Sequence, residues 1–295
     1  MMKEISHRTE EEIALHNLSL LKRDAASLRE ETTLLLRRAL GSHIPTEASF
    51  ERAARSLLEF SKKNGANLPD KGDTAVMICE LLAERFPDVA EHQKNFFLPL
   101  IPFPASRPVT ISCWMSNRLS EGAIDRFSSL FQAAKAVGVD SFSEVCERVA
   151  KQECDFGILP IENTTDGRLS SFYKMLDRHE LKICAVCDVE DPESDSRTRL
   201  ALVTSRIIVL QGDLPSFIEI SFVSANAERR QELLSMSRSF EVSVVRYACA
   251  PLSYRNDGEM DTVTFEVKTE RLLPFLIYLH LFFADANLIG FFVQI

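Results

Sequence analysis

The sequence predicts an α+β protein of several domains, and three observations lead to this prediction. Residues 8–40 contain neither Gly nor Pro and carry apolar residues at helical spacing, which is typical of one long helix. Over 109–204, apolar runs alternate with helical segments, the pattern of an α/β lobe. Residues 216–295 follow the order strand–helix–strand–strand–helix–strand. That order is typical of a ferredoxin-like domain.

Composition limits the classes of partner. The 295 residues carry a net charge of −9, which disfavours nucleic acid or an anionic membrane as a partner. The first residues lack the apolar core of a signal peptide, and no run of about 18 apolar residues could span a membrane. The seven cysteines, an odd number among apolar neighbours, fit reduced thiols. We therefore expect a cytoplasmic protein.

Residues 1–90 are predicted to form a helical module. Its long helix carries a heptad seam, which is typical of dimerising helices; the seam comprises Leu18, Leu21, Ala25, Leu28, Thr32, Leu35 and Ala39. A second helix is expected over 47–64, burying Phe50, Ala53, Ala54, Leu57 and Leu58. A third helix should begin after Asp73 and end before Pro87. The module predicts a homodimer.

A proline-rich linker, 91–108, leads into the predicted α/β lobe, 109–210. We expect strands at 109–115, 156–161, 181–188 and 198–204, and helices at 119–134, 141–152 and 168–179. This alternation favours parallel strands with crossover helices. The last predicted domain, 211–295, should have strands near 216–223, 241–249, 262–268 and 288–294, and helices near 226–239 and 270–284.

The stretch from Asp155 to Gly167 is the strongest candidate for a functional site. The apolar run Phe156–Ile161 predicts a buried strand, and short hydrogen-bonding side chains follow it directly. In open α/β sheets, ligands bind at the carboxyl ends of strands, often against the next helix. The same residue types are also common in ordinary strand-to-helix turns, which is the alternative interpretation.

This stretch resembles a family signature. Residues 159–167, Leu-Pro-Ile-Glu-Asn-Thr-Thr-Asp-Gly, are similar to the Pro-Ile-Glu-Asn-Ser-x-x-Gly motif of prephenate dehydratases. Residues 196–200, Ser-Arg-Thr-Arg-Leu, resemble the Asn-x-Thr-Arg-Phe motif of that family. The resemblance covers roughly 109–295. It implies a lobe of the periplasmic-binding-protein-like type, followed by an ACT-like regulatory domain.

The resemblance also implies site residues. Thr198 would assist departure of the ring hydroxyl of prephenate, and Arg199 would hold a carboxylate. The other substrate-binding residues would be Asn163, Thr164, Thr165 and Gly167. Aromatisation with loss of carbon dioxide and water drives the reaction, so neither a cofactor nor a metal is implied. The expected ligand is a small carboxylate, either prephenate or an aromatic amino acid.

The chain departs from the family pattern in several places. The family has a second lobe where this chain has only the seven residues 190–196. The family's first ligand loop is replaced by 116–122, and its phenylalanine-binding segments by 224–227 and 248–251. The N-terminal helices resemble a degenerate chorismate mutase, or are a plain dimerisation module.

Three functional hypotheses therefore stand at the level of sequence. The first is a non-catalytic or regulatory binding protein of phenylalanine biosynthesis, which is a pseudoenzyme. The second is an active prephenate dehydratase, a lyase, whose missing wall is supplied by the helical module or by another subunit. The third is a structural dimerisation scaffold.

Overall fold

The computed structural model divides the chain into two compact units, Met1–Val89 and Ala90–Ile295. The residues that it describes are 23–40, 47–65, 68–87, 101–103, 106–114, 118–164, 167–190, 196–210, 216–224, 227–251 and 259–295. The predicted helical segment 8–22 and most of the predicted linker lie outside the described residues. No helix in the described part of the chain is long and apolar enough to cross a membrane.

The first unit contains three helices: α1 over 23–40, α2 over Glu47–Asn64 and α3 over Lys71–Arg85. Phe50, Ala53, Ala54 and Leu57 are buried, as the helical spacing predicts. Helix α3 begins earlier than expected because its N-cap is Asp70, whose carboxylate accepts the Asp73 N–H at 2.9 Å.

Helix α1 buries one stripe and leaves another exposed. Thr32, Leu36 and Leu40, four residues apart, are buried within the unit. The seam residues Leu28 and Leu35 are 41% and 42% exposed. The buried stripe of α1 therefore shares Thr32 with the predicted seam. The seam residues Leu28 and Leu35 remain in solvent.

The second unit begins with the α/β lobe. Its strands are β1 (Ile101–Pro102), β2 (Val109–Trp114), β3 (Ala134–Val139), β4 (Phe156–Asn163), β5 (Gly167–Arg168), β6 (Lys182–Glu190), β7 (Arg197–Thr204) and β8 (Ile208–Val209). Its helices are α4 (Arg118–Ser128), α5 (Phe142–Ala150) and α6 (Ser170–Arg178). The two-residue strands β1 and β8 pair separately from the main sheet.

Strand β3 was not expected, because the predicted helix 119–134 ends at Ser128. Turns at 129–131 lead into the strand, which pairs in parallel with β2. Strand β3 lies at the edge of the sheet, and of its six residues only Val139 is buried. An exposed edge strand lacks the apolar alternation that marks a half-buried strand in a sequence.

The remaining elements are β9 (Ser216–Ser224), α7 (Ala227–Ser239), β10 (Ser243–Pro251), β11 (Glu259–Val267), α8 (Thr269–Phe282) and β12 (Asn287–Gln294). Their strands are ordered β10-β11-β9-β12, the ferredoxin-like order. Helix α8 packs on this sheet through Phe275, whose ring lies 5.0 Å from that of Phe265. The predicted α+β architecture with a ferredoxin-like C-terminal part is confirmed.

One sheet joins the lobe to the ferredoxin-like strands, in the order β10-β11-β9-β12-β6-β7-β4-β2-β3, with β5 beside β4. The pairs β2–β3, β2–β4 and β12–β6 are parallel, whereas β4–β7 and β6–β7 are antiparallel. The expectation of a wholly parallel lobe is therefore wrong. The reason is that β6 and β7 form a hairpin, with Glu190 opposite Arg197, instead of a crossover. The predicted domain boundary at 211 stays a prediction.

Two apolar clusters flank the lobe sheet. Helix α4 covers one face, where Ala123 and Phe127 pack with Ile158 and Leu202. On the other face, Val145 and Val149 of α5 and Phe172 and Leu176 of α6 pack in a cluster that contains Leu159, Ala201 and Phe292. We call these the α4 face and the α5/α6 face.

The contact between β12 and β6 requires a glycine at position 290. A Cβ atom added to Gly290 would lie 2.6 Å from Ile183 Cβ and 2.7 Å from the Ile183 carbonyl oxygen. Because the Ile183 carbonyl oxygen belongs to the backbone, neither strand can move away without disturbing the sheet.

We predict that Gly290→Ala lowers the stability of the second unit by about 1–3 kcal/mol, the usual cost of overpacking a closed contact. The measurement is urea unfolding followed by the fluorescence of Trp114, the only tryptophan, which lies in β2 of this unit. Gly65→Ala is the control, since nothing lies within 4 Å of a Cβ atom there. An unchanged midpoint for Gly290→Ala would contradict the close contact.

Candidate functional site

Strand β4 carries the motif residues to the end of the sheet. Its first four residues, Phe156 to Leu159, are buried, and its last two, Glu162 and Asn163, are half-buried. The pairing with β7 shifts by one residue between Pro160 and Glu162. This bulge sets which face each motif side chain lies on.

Gly167 closes the turn that follows β4. It has a φ of 70°, in the left-handed region that favours glycine, and it pairs with Asn163. Thr164 is exposed, and its Oγ1 accepts the Arg197 N–H at 3.1 Å. The motif therefore ties the end of β4 to the start of β7. Thr165 lies outside the described residues.

The predicted site residues divide between the two faces of the sheet. Thr198 is opposite Asn163, and Arg199 is opposite Glu162. Since successive residues of a strand alternate between faces, Thr198 shares the α4 face with Leu200, and Arg199 shares the α5/α6 face with Ala201. The structure brings Asn163 and Thr198 together but places Arg199 on the other side.

On the α4 face, the helix packs tightly against the end of the sheet. A Cβ atom at Gly122 would lie 2.9 Å from Val189 Cγ1, and Val189 is opposite Thr198. Thr198 is only 4% exposed. The hydroxyl of Ser120, one turn nearer the start of α4 than Ala123, is buried without a hydrogen-bond partner in the described part of the chain. Two hydroxyl side chains thus stand at this end of the α4 face.

On the α5/α6 face, charged side chains from distant parts of the chain meet. Arg246 of β10 binds Glu162 in a bidentate pair, with Nη1–Oε2 at 2.7 Å and Nη2–Oε1 at 2.8 Å. Arg199 donates from Nη2 to Oε1 of Gln294 at 2.9 Å. The C-terminal strands therefore supply polar partners to both residues of the Glu162–Arg199 pair.

A buried carboxylate lies in the same polar group. Glu219 of β9 is 4% exposed and accepts hydrogen bonds from the Tyr173 hydroxyl at 2.8 Å and from Thr264 Oγ1 at 2.7 Å. Its register neighbour Thr264 is in turn opposite Arg246. A buried carboxylate needs such donors, because leaving it unpaired would cost several kcal/mol.

Neighbouring groups shift the pKa of the Arg199 guanidinium in both directions. Burial lowers the pKa of its guanidinium, and the neighbouring Arg246 lowers it further. Asp188, Glu162 and Glu219 act in the opposite direction. An arginine remains protonated under such influences, so Arg199 is a cation with reduced access to water. Such a cation is suited to hold an anion.

The Cys184–Cys187 pair offers no chemistry of its own. Both thiols are buried in β6, and Cys184 Sγ donates to the Leu202 carbonyl at 3.2 Å. Burial raises the pKa of Cys187 to about 12, so this thiol stays protonated. All seven cysteines are free thiols.

Sequence reasoning missed Arg246, Glu219 and Tyr173. Arg246 is 84 residues from its partner Glu162, and no local pattern marks it. Glu162 itself lies in the recognised motif. Its negative charge was the one available signal that a positively charged partner lies near it.

The fold and these side chains define an α/β lobe joined to a ferredoxin-like sheet, with the charged residues Glu162, Arg199 and Arg246 at the carboxyl end of β4. The family model of prephenate dehydratase matches residues 119–190. The resemblance that the motifs predicted is therefore confirmed for this segment. A search of curated proteins found no match.

Three solved structures are similar to this chain, and the first of them, with a TM-score above 0.5, shares its fold. A prephenate dehydratase from Streptococcus mutans aligns with 63% of this chain and 98% of its own, at 16% identity and a TM-score of 0.51. A prephenate dehydratase from Arthrobacter aurescens in complex with L-Phe aligns with 63% of this chain and 90% of its own, at 14% identity and a TM-score of 0.45. A protein described as a novel type of quorum-quenching acylase, GqqA, covers 62% and 94% at 14% identity, with a TM-score of 0.48.

We predict that Thr264→Val destabilises the second unit by roughly 1–3 kcal/mol, because the buried Glu219 carboxylate loses a donor. Thr262→Val is the matched control: it lies two residues away on the same face of β11 and is similarly buried, at 9% exposure against 5%. Urea unfolding observed through Trp114 should give a smaller loss for the control. Equal losses would mean that the Glu219 hydrogen bond contributes nothing particular.

Proposed function

We propose that this protein is a prephenate dehydratase-related protein of phenylalanine biosynthesis that binds a small carboxylate without turning it over. The observation that supports this proposal best is the β6–β7 hairpin. Glu190 and Arg197 are directly paired, so only six residues connect the two strands where the family has its second lobe. By the resemblance, the family's cleft lies between two lobes, and the described residues from β2 to β7 form one.

The distribution of the motif residues supports the same proposal. The proposed catalytic hydroxyl, Thr198, and the proposed carboxylate ligand, Arg199, face opposite sides of the sheet. Acid–base catalysis requires the hydroxyl to lie within hydrogen-bond distance of the leaving oxygen. Thr198 is buried under α4. A hydroxyl that is 4% exposed is poorly placed to reach the leaving oxygen of a bound ligand.

Binding a ligand requires fewer precisely placed groups than catalysis does. Arg199 can hold a carboxylate without the other predicted site residues, of which Asn163 lies opposite Thr198 and Thr165 lies outside the described residues. In an open site, each hydrogen bond competes with water and contributes less than in a closed cleft. We propose prephenate or an aromatic amino acid as the ligand, and a cytoplasmic location.

One observation favours an active enzyme as the second candidate. Ser120 and Thr198 place two hydroxyls at the same end of the α4 face, and the Ser120 hydroxyl has no partner among the described residues. Because both hydroxyls are buried, a leaving oxygen would reach them only after α4 moved away from the sheet.

We predict that the purified chain forms phenylpyruvate from prephenate no faster than a blank does. The assay follows phenylpyruvate over time, with calorimetric titration of prephenate in parallel. Thr198→Ala should change neither result, whereas Arg199→Gln should weaken binding about tenfold or more, since one charge-assisted carboxylate contact is lost. Turnover that Thr198→Ala abolishes would establish the active enzyme instead. Absence of all binding would leave the scaffold hypothesis.

We further propose that the helical module, residues 1–90, forms a homodimer, and that the ferredoxin-like segment, 211–295, is an ACT-like domain. The exposed leucines of α1 support the dimer. Leu28 and Leu35, seven residues apart, are 41% and 42% exposed. Arg29 and Arg37 pair with Glu80 and Glu84 of α3 at 3.1 and 2.8 Å, so the helix is held with this stripe outward.

We predict that Leu28→Glu combined with Leu35→Glu converts a dimer to a monomer in sedimentation velocity. Each buried leucine contributes roughly 1.5–3 kcal/mol to such a contact, and a carboxylate in its place must be desolvated. Leu34→Glu is the control, because Leu34 is 52% exposed but lies off the heptad seam. A wild-type monomer, or a double variant that still sediments as a dimer, would contradict the proposal.

A further inference from the structure

Two arginines and one carboxylate, Arg199, Arg246 and Glu162, meet on the α5/α6 face. Glu162 lies directly opposite Arg199 in the β4–β7 ladder. Both of its carboxylate oxygens accept hydrogen bonds from Arg246, at 2.7 and 2.8 Å. Glu162 therefore neighbours both arginines, Arg199 across the ladder and Arg246 through the ion pair.

This arrangement has the form of an occupied binding site. Bidentate pairing of a guanidinium with a carboxylate is the contact by which proteins recognise carboxylate ligands. Here the carboxylate belongs to the chain itself. The side chains of Glu162 and Arg246 are each 29% exposed, so the pair is at the surface and Glu162 can move into solvent without crossing a packed core.

The neighbouring charges are already paired. Arg197 binds Asp188 at 2.7 Å, and Glu219 is held by Tyr173 and Thr264. Neither Asp188 nor Glu219 therefore has to move when Glu162 leaves. An incoming carboxylate would replace one negative charge by another between the same two arginines, which leaves the local charge balance unchanged.

We propose that Arg199 and Arg246 form a carboxylate-binding site in which Glu162 is the internal occupant, so that a ligand binds by displacing Glu162. This inference rests on the proposed function, which supplies the ligand class, and it adds Arg246 of the ferredoxin-like part as a binding residue. Displacement would release β10 from β4, because the Glu162–Arg246 pair is a contact between these strands.

A purely structural ion pair predicts something different. If Glu162 and Arg246 only held the strands together, removing either partner would disturb the site in the same direction. If Glu162 competes with the ligand, its removal must strengthen binding, while removal of Arg246 must weaken it. The sign of the change therefore separates the two interpretations.

The experiment is a calorimetric titration of the full chain and its variants with prephenate, and separately with phenylpyruvate, a monocarboxylate. Glu162→Gln should bind roughly 3- to 10-fold more tightly, because the binding-competent state no longer competes with an internal pair. Arg246→Gln should bind about tenfold more weakly, since a bidentate contact is lost.

Matched controls exist elsewhere in the unit. Glu144→Gln removes the same charge and also breaks an arginine–glutamate pair, with Arg148 at 2.9 Å on α5. Arg229→Gln removes a guanidinium that binds Asp285 instead. Both controls should bind as the wild type does, and near-UV circular dichroism should show that all variants are folded.

The outcomes distinguish this inference from the proposed function. In one outcome, Arg199→Gln abolishes binding, whereas Glu162→Gln and Arg246→Gln either leave it unchanged or both weaken it. This outcome would retain the proposed function and overturn the displacement. Absence of binding in both the wild type and Glu162→Gln would overturn both. Binding that appears only in Glu162→Gln, and is lost when Arg246→Gln is added, would support the displacement directly.

Discussion

The parallel pairing of β12 with β6 is the constraint on which the second unit depends. It joins the ferredoxin-like strands to the lobe in a single sheet, and the backbones approach so closely at Gly290 that only glycine fits. Val293 of β12 contributes to the cluster on the α4 face, and Phe292 to that on the α5/α6 face. The lobe and the ferredoxin-like strands consequently share both apolar clusters, so neither part packs independently of the other.

Curvature of this sheet creates the candidate site. In the ladder, β10 and β4 are separated by five strands, yet Arg246 and Glu162 are 2.7 Å apart. Twisted sheets coil, and only strong coiling brings such distant strands face to face. The ferredoxin-like strands then lie over the α5/α6 face, where they supply Arg246, Gln294 and Glu219. The ferredoxin-like part thus contributes side chains to the motif of its neighbour.

The same geometry gives the two motif residues Thr198 and Arg199 different surroundings. The motif's arginine is surrounded by partners from the C-terminal strands, whereas its threonine is buried on the opposite face. Strands β6 and β7 are paired as a hairpin, with Glu190 opposite Arg197. Holding an anion needs only a cation with restricted access to water. Transition-state chemistry needs converging groups on one side.

The sequence by itself determined the helices α2, α5 and α6, strand β4 and the ferredoxin-like element order, because apolar periodicity and capping act within a few residues. It missed β3, since an exposed edge strand has no apolar alternation, and it predicted parallel strands where β6 and β7 form a hairpin. The motif residues were identifiable, but their division between faces depends on a one-residue bulge beside Glu162. The pairing of Glu162 with Arg246 was decided only by the tertiary structure, because sheet curvature arises from packing over the whole unit.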